Sequence, residues 1–312
     1  MTTGEPVAIR HEPPQDTSRC GVVALIGAPN AGKSTLLNAL VGGKVSIVTH
    51  KAQTTRTRVR GVAIDGTAQI VFTDTPGLLT NAKGGLEKAM VTDAWAVAED
   101  ADVILMLHDA SRRSLDEQTL ATVRELKALG KPCVLALNKI DRVRRDSLLA
   151  LAQRFNDEGV FERIYMISAE TGDGVADVRS DLSHRMPEAP WLYPEDQLSD
   201  LPMRLLAAEV TREKLFLNVH EEVPYSVTVD TDAWTAFDDG SVRIDQTIYV
   251  QREQQKRIIV GRGGATIRAI RTAAQRDLEA ELEQRVHLVL FVKVQDWLRN
   301  WQRFVRMGGT ET

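Results

Sequence analysis

The sequence predicts an α/β chain of two domains, in which a mostly parallel sheet flanked by helices precedes a smaller α+β domain. Apolar strand patterns alternate with loops and helical patterns up to residue 185, as in βαβ units. Proline and acidic residues then concentrate at 186–196, which is typical of a linker. Beyond the linker, an amphipathic helical pattern precedes two alternating strand patterns.

These patterns set the predicted elements and boundaries. In the first domain we predict strands at 22–26, 68–73, 101–107, 132–137 and 163–167, and helices at 36–40, 117–129 and 176–185. In the second we predict a helix at 201–217, strands at 225–229, 241–250 and 286–294, and two helices around 261–264. The domains are expected at 20–185 and 201–312, with a disordered tail over 1–19 and a linker over 186–200.

Composition excludes several classes of protein. The net charge of −4 argues against bulk attraction to nucleic acid, so any such contact needs a local basic patch. The two cysteines are too few for a disulfide framework and suit a reducing compartment. No apolar stretch approaches the length of a membrane span, and the first 19 residues lack the apolar centre of a signal peptide. We therefore expect a cytoplasmic protein.

The first domain begins with a phosphate-binding motif. The strand at 22–26 leads into a glycine-rich loop and then a helix, the context in which such loops bind phosphates. We predict that Lys33 neutralises the β- and γ-phosphates and that the Ser34 hydroxyl is a ligand of Mg²⁺. The predicted loop comprises Gly27, Ala28, Pro29, Asn30, Ala31, Gly32, Lys33, Ser34 and Thr35.

Two further loops complete the predicted phosphate site. The polar loop at 51–58 lacks periodicity, and in a phosphate-driven switch such a loop supplies a threonine hydroxyl to Mg²⁺. After the strand at 68–73, Asp74 would hold a Mg²⁺-bound water, and the Gly77 amide would meet the γ-phosphate. The nucleotide-binding residues predicted here are Asp74, Thr75, Pro76 and Gly77.

The base-binding residues follow the last two strands of this domain. The Asp141 carboxylate can accept hydrogen bonds from both N1–H and the exocyclic amine of guanine, a pair that adenine does not offer. Asn138 would brace the loop, and the Lys139 stem would lie along the base. After the strand at 163–167 come Ser168 and Ala169, whose amide would contact the guanine carbonyl oxygen. The motif therefore predicts GTP and GDP as ligands.

In the second domain, two helical patterns meet at a Gly-x-x-Gly loop. Because this loop lacks bulky side chains, the backbone of about four nucleotides can approach its amides, as in KH domains. Seven basic residues between positions 252 and 276 oppose only Glu253, which makes a local positive patch. The predicted RNA-binding residues are Lys256, Arg257, Gly261, Arg262, Gly263, Gly264, Arg268 and Arg271.

The order of these motifs resembles the Era family of bacterial ribosome-assembly GTPases over nearly the whole chain after the tail. The matching segments are 29–35, 51–56, 74–78, 168–172, 224–227, 286–288 and 292–294. The resemblance implies a GTPase domain followed by a type II KH domain, and binding to the 3′ end of 16S rRNA in 30S subunit biogenesis. It also implies peripheral association with the cytoplasmic face of the cell membrane, and we expect a monomer. The longer tail, Ala28 and Ala31 depart from the family pattern.

The resemblance also selects catalytic residues. It favours Thr55 over Thr54 as the Mg²⁺ ligand of the polar loop. Asn30 resembles the asparagine with which related GTPases hold a K⁺ ion in place of an arginine finger, although an asparagine tolerated at a turn is an equally good interpretation. Leu78 stands where Ras-like proteins carry the glutamine that orients the attacking water. The predicted catalytic residues are Lys33, Thr55, Gly77 and Asn30.

Three alternatives to a coupled GTPase switch stay open at this point. A nucleotide-gated rRNA-binding scaffold with negligible turnover is favoured by Leu78 and opposed by Asn30. A related K⁺-using GTPase of tRNA modification is opposed by the C-terminal KH pattern. A P-loop kinase is opposed by the guanine-selecting residues 138–141.

Overall fold

The computed structural model describes residues 18–43, 45–46, 48, 59–75, 77, 85–112, 115–195, 197, 203–219 and 227–295. The predictions for the tail at 1–17, the polar loop at 51–58 with Thr55, and Pro76 and Leu78 lie outside the described residues. Within the described part of the chain, no helix is long and apolar enough to cross a membrane.

The first domain contains a six-stranded sheet in the order β2-β3-β1-β4-β5-β6. All neighbouring strands are parallel except β2, which runs antiparallel to β3. The strands are β1 (Arg19–Gly27), β2 (Val59–Asp65), β3 (Ala68–Asp74), β4 (Val103–Asp109), β5 (Cys133–Asn138) and β6 (Arg163–Met166). In this parallel arrangement, the carboxyl ends of β1, β3, β4, β5 and β6 lie at one edge of the sheet.

Helices cover both faces of this sheet, as the alternation along the chain predicts. They are α1 (Lys33–Val41), α2 (Gly85–Asp100), α3 (Glu117–Leu129), α4 (Arg145–Asp157) and α5 (Val175–Arg185). Apolar side chains of α1 and α5 pack on one face, and those of α2, α3 and α4 pack on the other. Strand β1 serves both cores, since Leu25 is buried on the first face and Ile26 on the second.

Most predicted elements of the first domain are present. Helix α3 spans the predicted residues and ends at Gly130, whose positive φ of 66° terminates the helix. Strand β4 begins at Val103 rather than at Ala101, because the Ala101 amide still donates to Val97 O in the last turn of α2. No pattern in the sequence predicted β2, α2 or α4.

The segment after α5 is bonded to the edge of the sheet formed by β2 and β3. Gln69 on β3 is fully buried; its Oε1 accepts hydrogen bonds from the amides of Leu192 (2.8 Å) and Tyr193 (3.0 Å), and its Nε2 donates to Tyr193 O (2.8 Å). Nearby, the Trp191 indole donates to Thr67 O at 3.0 Å. The described part of this segment therefore follows a fixed course along the first domain.

The second domain has the predicted α+β order. It comprises α6 (Met203–Asn218), β7 (Val227–Ala236), β8 (Val242–Val250), α7 (Glu253–Val260), α8 (Ala265–Leu282) and β9 (Val286–Val294). Its sheet has the order β7-β8-β9, in which β7 and β8 are antiparallel and β8 and β9 are parallel. The buried residues of α6, α7 and α8 pack against this sheet, with Ile248, Ile259 and Ile270 at the centre of one cluster.

Candidate functional site

The phosphate loop runs from the end of β1 into α1, as predicted. Lys33 Nζ donates to the carbonyl oxygens of Gly27 and Ala28 at 3.0 Å each, so the ammonium group is held over the loop. Burial lowers the pKa of Lys33 to about 8, although the nearby Asp74 carboxylate acts in the opposite direction. A poorly solvated cation held by backbone carbonyls is well placed to bind phosphate oxygens, since water competes little with them.

Oxygen atoms from α1, from β3 and from Ser46 in the loop after α1 converge beside Lys33. Ser34 Oγ donates to Asp74 Oδ2 at 2.7 Å, and Ser46 Oγ donates to the same oxygen at 3.0 Å. Asp74 is fully buried, and the following Thr75 hydroxyl donates to Leu25 O at 2.7 Å, which holds the end of β3 against β1. Hydroxyl and carboxylate oxygens in this arrangement fit a hard cation such as Mg²⁺.

Gly77 lies against the phosphate loop. A Cβ atom at this position would come within 2.8 Å of the backbone of Pro29, so only glycine permits this approach. The structure thus brings the loop after β3 to the phosphate loop, as predicted. Asn30, also in the phosphate loop, has a positive φ of 62°, which fits an asparagine at a turn and leaves both interpretations of this residue open.

The predicted base-binding residues meet at the ends of β5 and β6. Ser168 Oγ donates to Asp141 Oδ1 at 2.7 Å, and this bond is the largest cause of a lowered pKa of Asp141. The carboxylate is therefore kept ionised and oriented for a donor pair such as that of guanine. Residues from both loops and from the phosphate loop line one cleft: Gly32, Thr35, Asn138, Lys139, Asp141, Ser168, Ala169 and Glu170.

Two side chains contribute to the site without having been predicted from the sequence. Asp109, at the end of β4, bonds Lys139 Nζ at 2.7 Å, and Lys139 Nζ also donates to Asn30 O at 2.7 Å. Burial opposes ionisation of Asp109, but hydrogen bonds from Lys139 and Ser111 outweigh it and lower the pKa of Asp109. The second is Ser46, described above. Only the position of Asp109 after an apolar strand offered a sequence signal, whereas Ser46 offered none.

The Gly-x-x-Gly loop joins α7 to α8 in the second domain. Gly261 has φ 71° and ψ 172°, and a Cβ atom there would lie 2.2 Å from Thr266 Oγ1. Arg257, Arg262, Arg268 and Arg271 are exposed, and Lys256 is half-buried. Across the described residues, none of these five side chains forms an ion pair, so their charge is uncompensated. The acidic side chain that follows the patch, Asp277, is paired with Lys214 and Arg276.

A phosphate loop, a guanine-selecting carboxylate and a basic Gly-x-x-Gly loop together define the class of protein, a guanine-nucleotide-binding protein with a nucleic-acid-binding domain. Comparisons with known proteins agree with this class. The family described as "50S ribosome-binding GTPase" matches residues 22–139, and the KH domain family matches residues 222–298.

Relatives match over almost the full chain. GTPase Era of Rhizobium meliloti (strain 1021) is 56% identical over 292 residues, which cover 93% of each protein. GTPase Era of Agrobacterium fabrum is 52% identical over 309 residues, 99% of this chain and 97% of the relative. The chain therefore belongs to the Era family of GTPases and hydrolyses GTP.

Two solved structures support the fold of the whole chain. One is an Aquifex aeolicus Era variant bound to GDP and AlF₄⁻, with TM-score 0.88 and 38% identity over 93% of this chain and 99% of that one. The other is Era with MgGDPNP and nucleotides 1506–1542 of 16S rRNA, with TM-score 0.88 and 38% identity over 94% and 99%. The predicted family and the predicted fold class, a GTPase domain with a type II KH domain, are confirmed.

Proposed function

We propose that this GTPase is a molecular switch that binds the 3′ end of 16S rRNA and assists 30S subunit biogenesis. The observation that carries the proposal is the presence, in one chain, of a guanine-selecting phosphate site and an uncompensated basic Gly-x-x-Gly loop. A relative with this fold binds MgGDPNP and nucleotides 1506–1542 of 16S rRNA, which supports both ligands. We place the functional boundaries at 20–185 and 201–312, joined by the linker.

The nucleotide is bound through the predicted residues. The loop at 27–35 would bind the phosphates and residues 138–141 and 168–169 the base, while Ser34, Thr55 and, through a water, Asp74 would hold Mg²⁺. The ion, when bound, neutralises charge on the β- and γ-phosphate oxygens. Lys33, preorganised by the carbonyls of Gly27 and Ala28, stabilises the same charge.

Hydrolysis is attack by a water molecule on the γ-phosphorus. A bond forms between the water oxygen and phosphorus, the bond to the β–γ bridging oxygen breaks, and GDP leaves with that electron pair, while one proton of the water passes to an oxygen of the released phosphate. The Gly77 amide donates to the γ-phosphate. Leu78 cannot orient the water by hydrogen bonding, so a water-positioning group or extra positive charge must come from elsewhere. We propose that Asn30 contributes by holding K⁺ in the phosphate loop.

The RNA backbone approaches the loop closely at Gly261, Arg262, Gly263 and Gly264. The negative charge of its phosphates is neutralised by Lys256, Arg257, Arg268 and Arg271. Nucleotide and RNA affinities are linked, so each ligand changes the affinity of the other by the same factor. We further propose that the protein is a cytoplasmic monomer that acts on the 30S subunit and attaches peripherally to the membrane. Cosedimentation with the 30S subunit tests the first of these interactions, and flotation with anionic vesicles tests the second.

The deciding experiment measures GTP hydrolysis with and without a single-stranded RNA matching the 3′ end of 16S rRNA, in K⁺ and in Na⁺ buffer. Stimulation by RNA that requires K⁺ supports the switch and the role of Asn30. Asn30→Ala should then lose the K⁺ effect while Asn156→Ala, on the exposed end of α4, retains it. RNA binding with equally slow hydrolysis in both salts would instead favour a nucleotide-gated scaffold with negligible turnover.

A further inference from the structure

A line of hydrogen bonds leaves the nucleotide site through Ser46. Its hydroxyl donates to Asp74 Oδ2, the oxygen that also accepts from Ser34. Asn38 on α1 holds the same stretch of backbone: its Oδ1 accepts from the amides of Val45 and Ser46 at 2.9 Å each, and its Nδ2 donates to Ser46 O at 2.8 Å. The position of Ser46 is therefore tied to the carboxylate of the predicted metal site.

The same stretch contacts the second domain. The amide of Val48 donates to Glu213 Oε1 on α6 at 3.1 Å. The other carboxylate oxygen of Glu213 lies 3.3 Å from Lys214 Nζ, and Lys214 also pairs with Asp277 on α8. Glu213 is only 6% exposed. The contact is thus a partly buried, charge-assisted hydrogen bond, a class of bond that is sensitive to loss of either partner.

Helix α8 connects this contact to the Gly-x-x-Gly loop. Asp277 lies in α8, which begins at Ala265 directly after Gly264. The two ends of this path along α8 are about 18 Å apart, since a helix rises 1.5 Å per residue. A displacement of Asp277 would move the whole helix, including Arg268, because a packed helix behaves as a rigid element.

We infer that Glu213 is a positioning residue that couples the nucleotide site to the RNA-binding loop. The inference rests on the proposed function, because it names the contact through which GTP and RNA affect one another. A Mg²⁺-bound water at Asp74 would use the carboxylate that now accepts from Ser46. Nucleotide binding would thereby shift Ser46 and Val48, and Glu213 would transmit that shift through Lys214 and Asp277.

The first test is the coupling factor in the full-length protein. It is the ratio of dissociation constants for a non-hydrolysable GTP analogue, with Mg²⁺, measured without and with the 16S 3′-end RNA. We expect a factor of about tenfold, within the usual range for linked sites. Glu213→Ala should reduce it below about twofold by the same linkage, and Glu213→Gln, which keeps an acceptor for Val48 but loses the pairing with Lys214, should give an intermediate factor.

Glu209→Ala is the matched control, because Glu209 lies one turn away on α6 and bonds Arg212 within the second domain. It should retain the full coupling factor even if it lowers stability. Ser46→Ala tests the path from its other end and replaces Glu213→Ala if that variant does not fold. An unchanged coupling factor in Glu213→Ala, or in Ser46→Ala where Glu213→Ala does not fold, would overturn the inference.

Hydrogen exchange separates failure of this inference from failure of the proposed function, because it needs no RNA. In the wild type, the Mg²⁺-bound GTP analogue should change amide exchange both around Ser46 and in α6. In Glu213→Ala the response around Ser46 should remain while that of α6 disappears. An α6 response that persists in this variant would contradict the role of Glu213, whatever RNA does.

Discussion

Asn138 joins the phosphate loop to the base-binding loop. Its Nδ2 donates to Ala31 O at 2.8 Å, while its Oδ1 accepts from the Ala169 amide at 2.9 Å. The side chain is 2% exposed, so neither bond has water as an alternative partner. One buried amide thus fixes the distance between the parts of the site that bind opposite ends of the nucleotide.

Replacing this amide should therefore disturb both parts of the site. Asn138→Ala removes two buried hydrogen bonds and should lower the free energy of unfolding by about 2–4 kcal/mol. GTP affinity should fall as well, because the loops are no longer preorganised. Urea unfolding and nucleotide titration measure the two effects. Asn156→Ala, an exposed asparagine on α4, should change neither; equal effects from both variants would refute the role of Asn138.

Base selection should depend on Asp141. Asp141→Asn replaces an acceptor pair by a donor and an acceptor, which mismatches guanine but matches the 2-oxo group of xanthine. GTP affinity should fall about 100-fold, the equivalent of about one lost charge-assisted hydrogen bond. Xanthosine triphosphate should bind better to the variant than to the wild type. Competition titrations with GTP, XTP and ATP measure this, and a variant that loses all three nucleotides equally would contradict the assignment.

The Gly-x-x-Gly loop should respond differently at Gly261 and at Gly263. At Gly261, alanine combines an unfavourable backbone conformation with a contact of 2.2 Å to Thr266 Oγ1, so Gly261→Ala should destabilise by about 1–3 kcal/mol. At Gly263 a Cβ atom meets nothing within 4 Å, so Gly263→Ala should cost about 1 kcal/mol or less. Thermal unfolding of both variants compares them. Equal destabilisation would show that the backbone at Gly261 is not constrained as described.

Gln69 should control the course of the linker. Gln69→Ala removes the partners of Leu192 and Tyr193 and should lower the free energy of unfolding by about 1–3 kcal/mol. Limited proteolysis at 186–195 should accelerate in the same variant. Gln153→Ala, which affects an exposed residue of α4, should leave the cleavage rate unchanged. Unaltered cleavage after Gln69→Ala would mean that other contacts hold this segment.

Stability should fall below neutral pH because of His108. This side chain is buried edge-to-face against Phe155, and burial lowers the pKa of His108. The unfolded chain then binds a proton at a higher pH than the folded one. The contribution of His108 to the free energy of unfolding is therefore fully present above pH about 6.5 and is lost as pH falls below it. Urea unfolding at pH 7.5 and 5.5 should show a smaller difference for His108→Gln than for the wild type. Exposed His184→Gln should retain the wild-type difference.

Local patterns predicted the helices and strands whose periodicity and end signals lie within a short stretch of sequence. The order of motifs predicted the family. They did not predict β2, in which Gly61 interrupts a short edge strand; a Cβ atom there would come within 2.7 Å of Val41. Gln69, a polar residue in an apolar strand, is buried because a segment more than 120 positions later bonds to it. The Val48–Glu213 bond joins residues 165 positions apart, so no local pattern could indicate it.

The segments at the beginning and the end of the first domain are bonded to each other. Ala189 donates to Ser18 O at 3.2 Å, Cys20 donates to Pro187 O at 3.0 Å, and Arg19 pairs antiparallel with Glu188. A mechanical force that drew the KH domain away would peel this segment from the sheet one bond at a time, first at Tyr193 and last at Cys20. Because the last of these bonds are made to β1, a pull through this segment would reach the strand that leads into the phosphate loop only after the bonds of Tyr193 and Trp191 have broken.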